Sequence, residues 1–199
     1  MIPHQEAINQ LPEDYHSSPE LQAFDINMML SVILHMMRLR ITRDFLRSTR
    51  TSHGNTQFSE RIFIRMVRET LTQLGLYFEE AGTQQPYDFR NIGGVGLQIE
   101  VKRTNSRSII FNDTLPTRGT YYLVAVCLEE PHLVMIPGEK FTEGYEDVID
   151  TFVTRLNQLR DDFARGPNRH ALGPIMGVYP RPTFRADIRT FLNDSTLLS

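Results

Sequence analysis

A glutamate and a lysine lie two residues apart in the segment Ile99-Glu100-Val101-Lys102, twelve positions after Asp88. Lysine is rare in this chain, because 19 of the 21 basic residues are arginine and only Lys102 and Lys140 are lysine. Arginine is permanently charged, whereas the compact ammonium of lysine has a pKa that burial and neighbouring charges can tune. A lysine kept beside a glutamate in an apolar strand therefore suggests a chemical role.

The residues around Glu100 alternate as in a β-strand. The pattern predicts two faces for residues 97–104, an apolar one with Leu97, Ile99 and Val101 and a polar one, away from the core, with Gln98, Glu100, Lys102 and Thr104. Asp88 belongs to a short preceding strand, Pro86–Phe89, which the turn Gly93-Gly94-Val95-Gly96 joins to the next strand. Neighbouring strands lie about 4.8 Å apart, so we expect Asp88 and Glu100 within reach of one metal ion.

Two carboxylates and the backbone carbonyl of Val101 would form an open oxygen site of the kind that Mg²⁺ uses. Lys102 would point into the same space, where it could orient or deprotonate an attacking water, or stabilise charge on a phosphate. These are the parts that metal-assisted hydrolysis of a phosphodiester needs. The alternative is structural, since residues two apart on a strand can form a simple surface ion pair.

A helix predicted from about Phe58 to Leu74, ended by Gly75, contributes a third carboxylate. Its apolar stripe consists of Phe63, Val67, Leu71 and Leu74. Glu60 falls within this stripe, whereas Glu69 falls on the opposite, solvated face. An inward carboxylate suggests a function, although an acid in the first turn also suits the helix dipole.

This combination resembles the PD-(D/E)xK nuclease superfamily. The match is Pro86-Tyr87-Asp88, then Glu100-Val101-Lys102, with Glu60 in the position of the acidic residue that many members carry on the preceding helix. Tyr87 departs from the pattern, because it is inserted between proline and aspartate. The segment from Ile109 to Pro116 looks like type II restriction endonucleases, and the resemblance covers about residues 58–140.

The resemblance implies an α/β fold with a restriction-endonuclease-like core, in which helices flank a central mixed β-sheet. It also implies sequence-specific, Mg²⁺-dependent cleavage of double-stranded DNA by a homodimer. The implied catalytic residues are Asp88, Glu100, Lys102 and Glu60, and the implied metal ligands are Asp88, Glu100 and Val101.

Polar residues follow the catalytic strand without a gap, so they should lie beside the scissile phosphate. Arginine and asparagine make bidentate contacts to guanine and adenine edges, while threonine and serine reach phosphates or bases. The candidate DNA-binding residues are Arg103, Thr104, Asn105, Arg107 and Asn112. The alternative is a polar loop, in which Asn112 caps the following turn.

The length of 199 residues predicts one compact domain in three segments. Residues 1–57 form an arm and a long helix from Pro19 to about Ser48, apolar on nearly every side and therefore either an internal helix or a subunit interface. Residues 58–165 form the catalytic core, and residues 166–199 an Arg- and Pro-rich segment that extends the core or contacts DNA.

Further elements are predicted after the motif. They are strands at Tyr121–Leu128 and His132–Ile136, a helix from about Thr142 to Ala164, and a short helix around Phe184–Leu192. The inner face of the long helix should consist of Val148, Ile149, Phe152, Val153, Leu156 and Leu159. Helices are expected on both faces of the sheet.

The overall composition favours an intracellular, cytoplasmic location. Cys127 is the only cysteine, which excludes an internal disulfide or a cysteine metal cluster within one chain. The first 19 residues are polar and proline-broken, so no secretory signal is expected, and no membrane span is expected either. The net charge of −3 argues weakly against bulk nucleic-acid binding, but clustered arginines can still line a positive cleft.

Two other functions are compatible with these patterns. A repair or junction-resolving nuclease would share the fold but read DNA shape instead of sequence. A non-catalytic interaction protein would use Glu100 and Lys102 as a surface pair and the long apolar helix for a partner.

Overall fold

The strand that carries Glu100 and Lys102 is the middle strand of a five-stranded mixed sheet. The computed structural model describes residues 26–50, 56–82, 87–112, 115–165 and 183–192. Its helices are α1 (Ile26–Arg40), α2 (Arg43–Ser48), α3 (Thr56–Gln73), α4 (Glu146–Arg165) and α5 (Ile188–Leu192). Its strands are β1 (Glu79–Glu80), β2 (Phe89–Ile92), β3 (Leu97–Thr104), β4 (Ser108–Asn112), β5 (Thr120–Val126), β6 (His132–Pro137) and β7 (Thr183–Asp187).

The main sheet has the order β1-β2-β3-β5-β6. β3 pairs antiparallel with β2 and parallel with β5, and this register puts Glu100 opposite Tyr122 and Lys102 opposite Val124. β5 pairs antiparallel with β6, while β4 leaves the main sheet and pairs antiparallel with β7. The fold is therefore α/β, with a mixed central sheet flanked by helices.

The β2–β3 hairpin sets the position of Asp88 relative to Glu100, and its turn needs glycine. Gly93, Gly94 and Gly96 have φ values of 67°, 74° and 77°, a region that side chains disfavour. A Cβ on Gly93 would also lie 2.6 Å from Cε of Met29. The predicted turn and the predicted strand Leu97–Thr104 are both confirmed. Pro86, the first residue of the predicted preceding strand, lies outside the described residues.

One face of the sheet is covered by α1 and α3. The side chains of Phe63, Val67 and Leu71 on α3 are fully buried, as the helical stripe predicts. α1 buries seven residues, five of which belong to the same core, so internal packing explains most of its apolar residues. The helix predicted from Pro19 to Ser48 is not continuous, because the chain leaves the helical conformation at Ile41–Thr42 between α1 and α2. There Thr42 caps α2 by accepting a hydrogen bond from the Phe45 N–H at 3.2 Å. Residues 19–25 of that prediction lie outside the described residues.

The other face, which carries Glu100 and Lys102, also has a hydrophobic layer. The ring of Phe111 on β4 lies 5.2 Å from that of Tyr122 and 5.0 Å from that of Phe141, and Phe184 of β7 and Phe191 of α5 extend the cluster. The expectation that this face points away from the core is therefore wrong. The alternation within β3 could not reveal the apolar residues that β5 adds to the same face. A two-stranded sheet and a short helix cover this face.

The predicted inner face of α4 is only partly buried, because Ile149, Val153 and Leu156 are partly buried whereas the other three predicted residues are exposed. Val148, Phe152 and Leu159 of α4 are 67%, 50% and 52% exposed. Amphipathic spacing shows that a helix has an apolar face, but it does not show that another element covers that face.

Residues 184–187 belong to a strand, although the sequence predicts a helix from Phe184. Ile109 and Phe111 of β4 pair with Ala186 and Phe184 of β7. This pairing joins segments more than 70 residues apart, so local periodicity does not report it. The helical part of the prediction is confirmed only for Ile188–Leu192.

Candidate active site

Asp88 is held against β3 by two hydrogen bonds. Its backbone N–H donates to the carbonyl of Ile99 at 3.1 Å, and its Oδ2 accepts from the N–H of Val101 at 2.7 Å. The two halves of the motif are therefore in direct contact, as the hairpin spacing predicts. The insertion of Tyr87 before Asp88 does not prevent this contact.

Glu100 and Lys102 form an ion pair that is largely withdrawn from solvent. The ammonium of Lys102 contacts Oε1 of Glu100, and the two side chains are 19% and 12% exposed. Nζ of Lys102 also lies 5.7 Å from the ring centroid of Phe111, within the range of a cation–π interaction. The pair therefore differs from the solvated surface pair of the structural alternative.

Three carboxyl groups, from α3, β3 and the residue before β2, interact electrostatically in this site. Burial raises the pKa of Asp88 and of Glu100, and the ammonium of Lys102 opposes both increases. Burial also raises the pKa of Glu60 on α3, where Lys102 and Arg103 lower it and the charge of Asp88 raises it. The charges of Asp88 and Glu60 in turn raise the pKa of Glu100. The structure thus brings together all four of the predicted catalytic residues.

The oxygen atoms around Asp88 suit a hard cation. Val101 directs its N–H to Asp88, and its carbonyl points to the same edge of β3, because both groups of a strand residue face one neighbouring strand. Within the described part of the chain, no three His, Cys, Asp or Glu side chains are arranged to hold a metal ion. The predicted set is smaller, since it combines Asp88, Glu100 and the Val101 carbonyl, and Mg²⁺ often takes only one or two carboxylates with waters and phosphate oxygens. The donor chemistry therefore fits Mg²⁺.

One guanidinium nitrogen of Arg103 is held by a hydrogen bond, and the other two could donate hydrogen bonds to a ligand. Its Nη2 donates to the carbonyl of Thr49, at the end of α2. Nε and Nη1 are buried, and they have no hydrogen-bond partner among the described residues. Buried donors without partners are costly, and an anion such as a phosphate oxygen would satisfy them.

The other candidate DNA-binding residues lie after β3 in different environments. Thr104 is 7% exposed, and its hydroxyl donates to the carbonyl of Ser108 at 2.7 Å, so it closes the β3–β4 connection. Asn105 and Arg107 are exposed. Asn112 is the last residue of β4, where its backbone pairs with Thr183, and its side chain lies outside the described atoms.

Tyr122 borders the site, although the sequence did not single it out. Its hydroxyl accepts from the N–H of Thr117 at 2.9 Å, burial raises its pKa, and the charge of Glu100 raises it further. Only the parallel register of β3 and β5 places Tyr122 beside Glu100. An isolated apolar strand gives no sign of that register.

None of the described helices is both long enough and apolar enough to cross a membrane. Comparison of the chain with protein-family models, with curated proteins and with solved structures finds no match. The candidate activity is therefore inferred from the residues and the geometry described above.

Proposed function

We propose that this chain is a Mg²⁺-dependent nuclease with a restriction-endonuclease-like core, and more specifically a type II restriction endonuclease that cuts double-stranded DNA as a homodimer. One observation carries the proposal. Glu60 on α3, Asp88 just before β2 and Glu100 on β3 are distant in sequence, yet they interact with each other and with Lys102 in one partly buried site. Such a concentration of carboxyl groups with perturbed pKa values is typical of a functional site.

Asp88, Glu100 and the Val101 carbonyl would hold Mg²⁺, which supplies a Lewis acid for the phosphate and lowers the pKa of water. Glu60 is partly buried in the second turn of α3, where it can hold a second ion or orient a water molecule. The low exposure of Glu100 and Lys102 strengthens the electrostatic interactions among these groups, because less water screens them.

Lys102 is the group proposed to act on the reacting atoms. Its ammonium contacts both the carboxylate of Glu100 and the ring of Phe111, and these two contacts limit the positions that it can adopt. From there it can orient the attacking water or neutralise the charge that develops on the phosphate. A permanently charged guanidinium could not exchange a proton in the same way.

The same geometry offers contacts for the DNA backbone. Nε and Nη1 of Arg103, which have no partner among the described residues, can donate to a phosphate oxygen near Glu60. Arg107 and Asn105 are exposed in the β3–β4 connection, where they can reach phosphates or base edges. These contacts are local, so they are compatible with a net charge of −3.

Cleavage of a plasmid in the presence of Mg²⁺ tests the proposal. We expect discrete fragments from the purified wild-type protein, and a rate about 10²- to 10⁴-fold lower for Lys102→Ala, because the variant lacks the ammonium beside the water. DNA binding, measured by fluorescence anisotropy, should be retained in the variant.

Lys140→Ala is the matched control, since Lys140 is the other lysine and pairs with Glu143 outside the site at 3.0 Å. It should cut as wild type does. Absence of cleavage by wild-type protein with both Mg²⁺ and Mn²⁺, despite DNA binding, would contradict the nuclease proposal. Cleavage of branched DNA without sequence preference on linear duplex would instead identify a structure-selective nuclease of the same fold.

A non-catalytic interaction protein is the second candidate, and the exposed apolar face of α4 favours it. Large apolar side chains grouped on a helix surface can serve a protein partner. This candidate predicts no retention on DNA at low salt and no change in thermal stability when a divalent metal is added.

A further inference from the structure

A cavity of about 420 Å³ lies at the break between α1 and α2, beside the start of β6. Its volume is within the range of small-molecule sites in proteins. The residues of the candidate active site do not line it. It is therefore a separate feature that the proposed nuclease activity does not use.

Three cationic or potentially cationic groups converge on this cavity from three elements. Arg38 comes from α1, Arg43 from α2 and His132 from β6. Arg38 is fixed by a hydrogen bond from its Nη2 to the carbonyl of Leu133 at 2.8 Å. None of the described residues that line the cavity is acidic.

Two of the three charges that act on His132 are positive. Burial lowers the pKa of His132, Arg43 and Arg38 lower it too, and only Glu130, from the turn before β6, raises it. Burial also lowers the pKa of Arg38. Asp44, the nearest acid along α2, pairs with Arg47 at 2.9 Å and does not line the cavity. A bound anion would relieve this concentration of like charge.

The remaining wall is largely apolar. It includes the buried side chains of Ile41 and Leu46 on one side and of Leu133 and Val134 on the other, with Leu192 of α5 completing it. A ligand that fills the cavity therefore needs both an anionic group and an apolar or aromatic part. Inorganic phosphate alone would leave the apolar wall unused.

We propose that this cavity binds a small organic phosphate monoester, with its phosphate held by Arg38, Arg43 and His132 and its apolar body against Ile41, Leu46 and Leu133. A phosphate monoester is favoured over a carboxylate, because its charge of about −1.5 to −2 at neutral pH matches two arginines. The planar guanidinium fork also matches phosphate geometry. The monoester can come from a free mononucleotide or from the 5′ end of a DNA strand.

Calorimetric titration of the full chain with phenyl phosphate tests the proposal. We expect saturable binding, weakened about 10- to 100-fold in Arg43→Gln, because a hydrogen bond between charged groups is lost. Arg43 is exposed, so this variant should fold. Arg47→Gln on the same helix is the matched control, since Arg47 does not line the cavity, and it should bind as wild type does.

The imidazole of His132, followed by NMR and assigned with His132→Gln, gives a second readout. A bound phosphate should raise the pKa of His132, so binding should tighten as the pH falls from about 8 to about 6.5, where the monoester still carries most of its charge. Binding should persist in Lys102→Ala, so failure of the nuclease proposal and failure of this one can be told apart.

Three results would overturn the proposal. They are no saturable binding of phenyl phosphate at millimolar concentration, equal binding by Arg43→Gln and Arg47→Gln, and equal affinity for inorganic phosphate and phenyl phosphate. Adenosine 5′-monophosphate and matched oligonucleotides with and without a 5′-phosphate distinguish the two sources. Binding of either the mononucleotide or the 5′-phosphorylated oligonucleotide supports the site, and the one that binds more tightly identifies the source of the phosphate monoester.

Discussion

Asp88, the first half of the candidate motif, contacts the second half on β3 through both its backbone and its side chain. It donates to Ile99 and accepts from Val101, so its carboxylate is placed by the same hairpin that orients Glu100. This contact could be predicted from sequence, because it depends on a short turn and on strand alternation. The approach of Glu60 was predicted only as an inward direction on α3, since its target lies on a different element.

At Glu60 we expect a conflict between stability and function. Because burial raises its pKa above the ordinary value of 4.5, the folded protein holds that proton more tightly than the unfolded chain does. The stabilisation from protonation is complete below the ordinary pKa and is lost as the pH rises through the raised pKa. Glu60→Gln keeps the neutral shape, so it should be more stable than wild type at about pH 8.

Urea unfolding over a pH series measures this difference, which should shrink as the pH falls towards 4.5. Glu69→Gln is the control, because Glu69 lies on the solvated side of the same helix and pairs with Arg40 at 3.2 Å. A lower stability of Glu60→Gln at about pH 8 would show that its charge is needed by the fold.

At the scale of elements, α4 and α2 show what amphipathic pattern and helix propensity leave open. The period of α4 was predicted well, but part of its apolar face is exposed, because packing depends on a partner that spacing does not specify. The break before α2 is accompanied by the Thr42 cap. The sequence alone does not distinguish Thr42 from other threonines, so it does not predict this break. The short-range rules that predicted α3 and β3 therefore do not predict the exposure of α4 or the start of α2.

The free energy of unfolding should respond differently to loss of an aromatic ring on α4 and on β4. Phe152→Ser on α4 should change the free energy of unfolding by less than about 1 kcal/mol, because the side chain is half exposed. Phe111→Ala on β4 should lower it by about 3–5 kcal/mol, because this ring is fully buried among other aromatic rings. Chemical denaturation measures both. Equal losses would mean that α4 is covered in solution.

At the scale of the whole molecule, the α/β class was predictable and the strand order was not. Alternation in β3 and the apolar run of β5 identify strands, but their parallel pairing needs a crossover whose course no local pattern records. The pairing of β4 with β7 is equally non-local. For this reason the carboxylates of the candidate site were found from the sequence, whereas the hydrophobic layer beside Glu100 and Lys102 was missed.

The whole molecule should gain stability from Mg²⁺ if the carboxylates hold it. At a concentration about 100 times the Kd, binding to the folded state alone contributes about 2.7 kcal/mol, which thermal unfolding would show as a higher Tm. Asp88→Asn should lose this increase, because it keeps the shape that accepts from Val101 but removes the charge. Asp44→Asn, on the exposed side of α2, should retain it. The same increase in both variants would place the metal elsewhere.

The pairing of β4 with β7 also sets an order of events during synthesis. β7 and α5 supply Phe184, Ile188 and Phe191 to the layer that covers the face of Glu100 and Lys102. They are translated 71 residues or more after β4, counted from Asn112 to Thr183. At about 5–20 residues per second, the ribosome needs roughly 4–14 seconds for that interval. Throughout this time, the side of the sheet covered by α1 and α3 can assemble while the face of Glu100 and Lys102 still lacks part of its cover, so this layer is completed only after β7 and α5 have been translated.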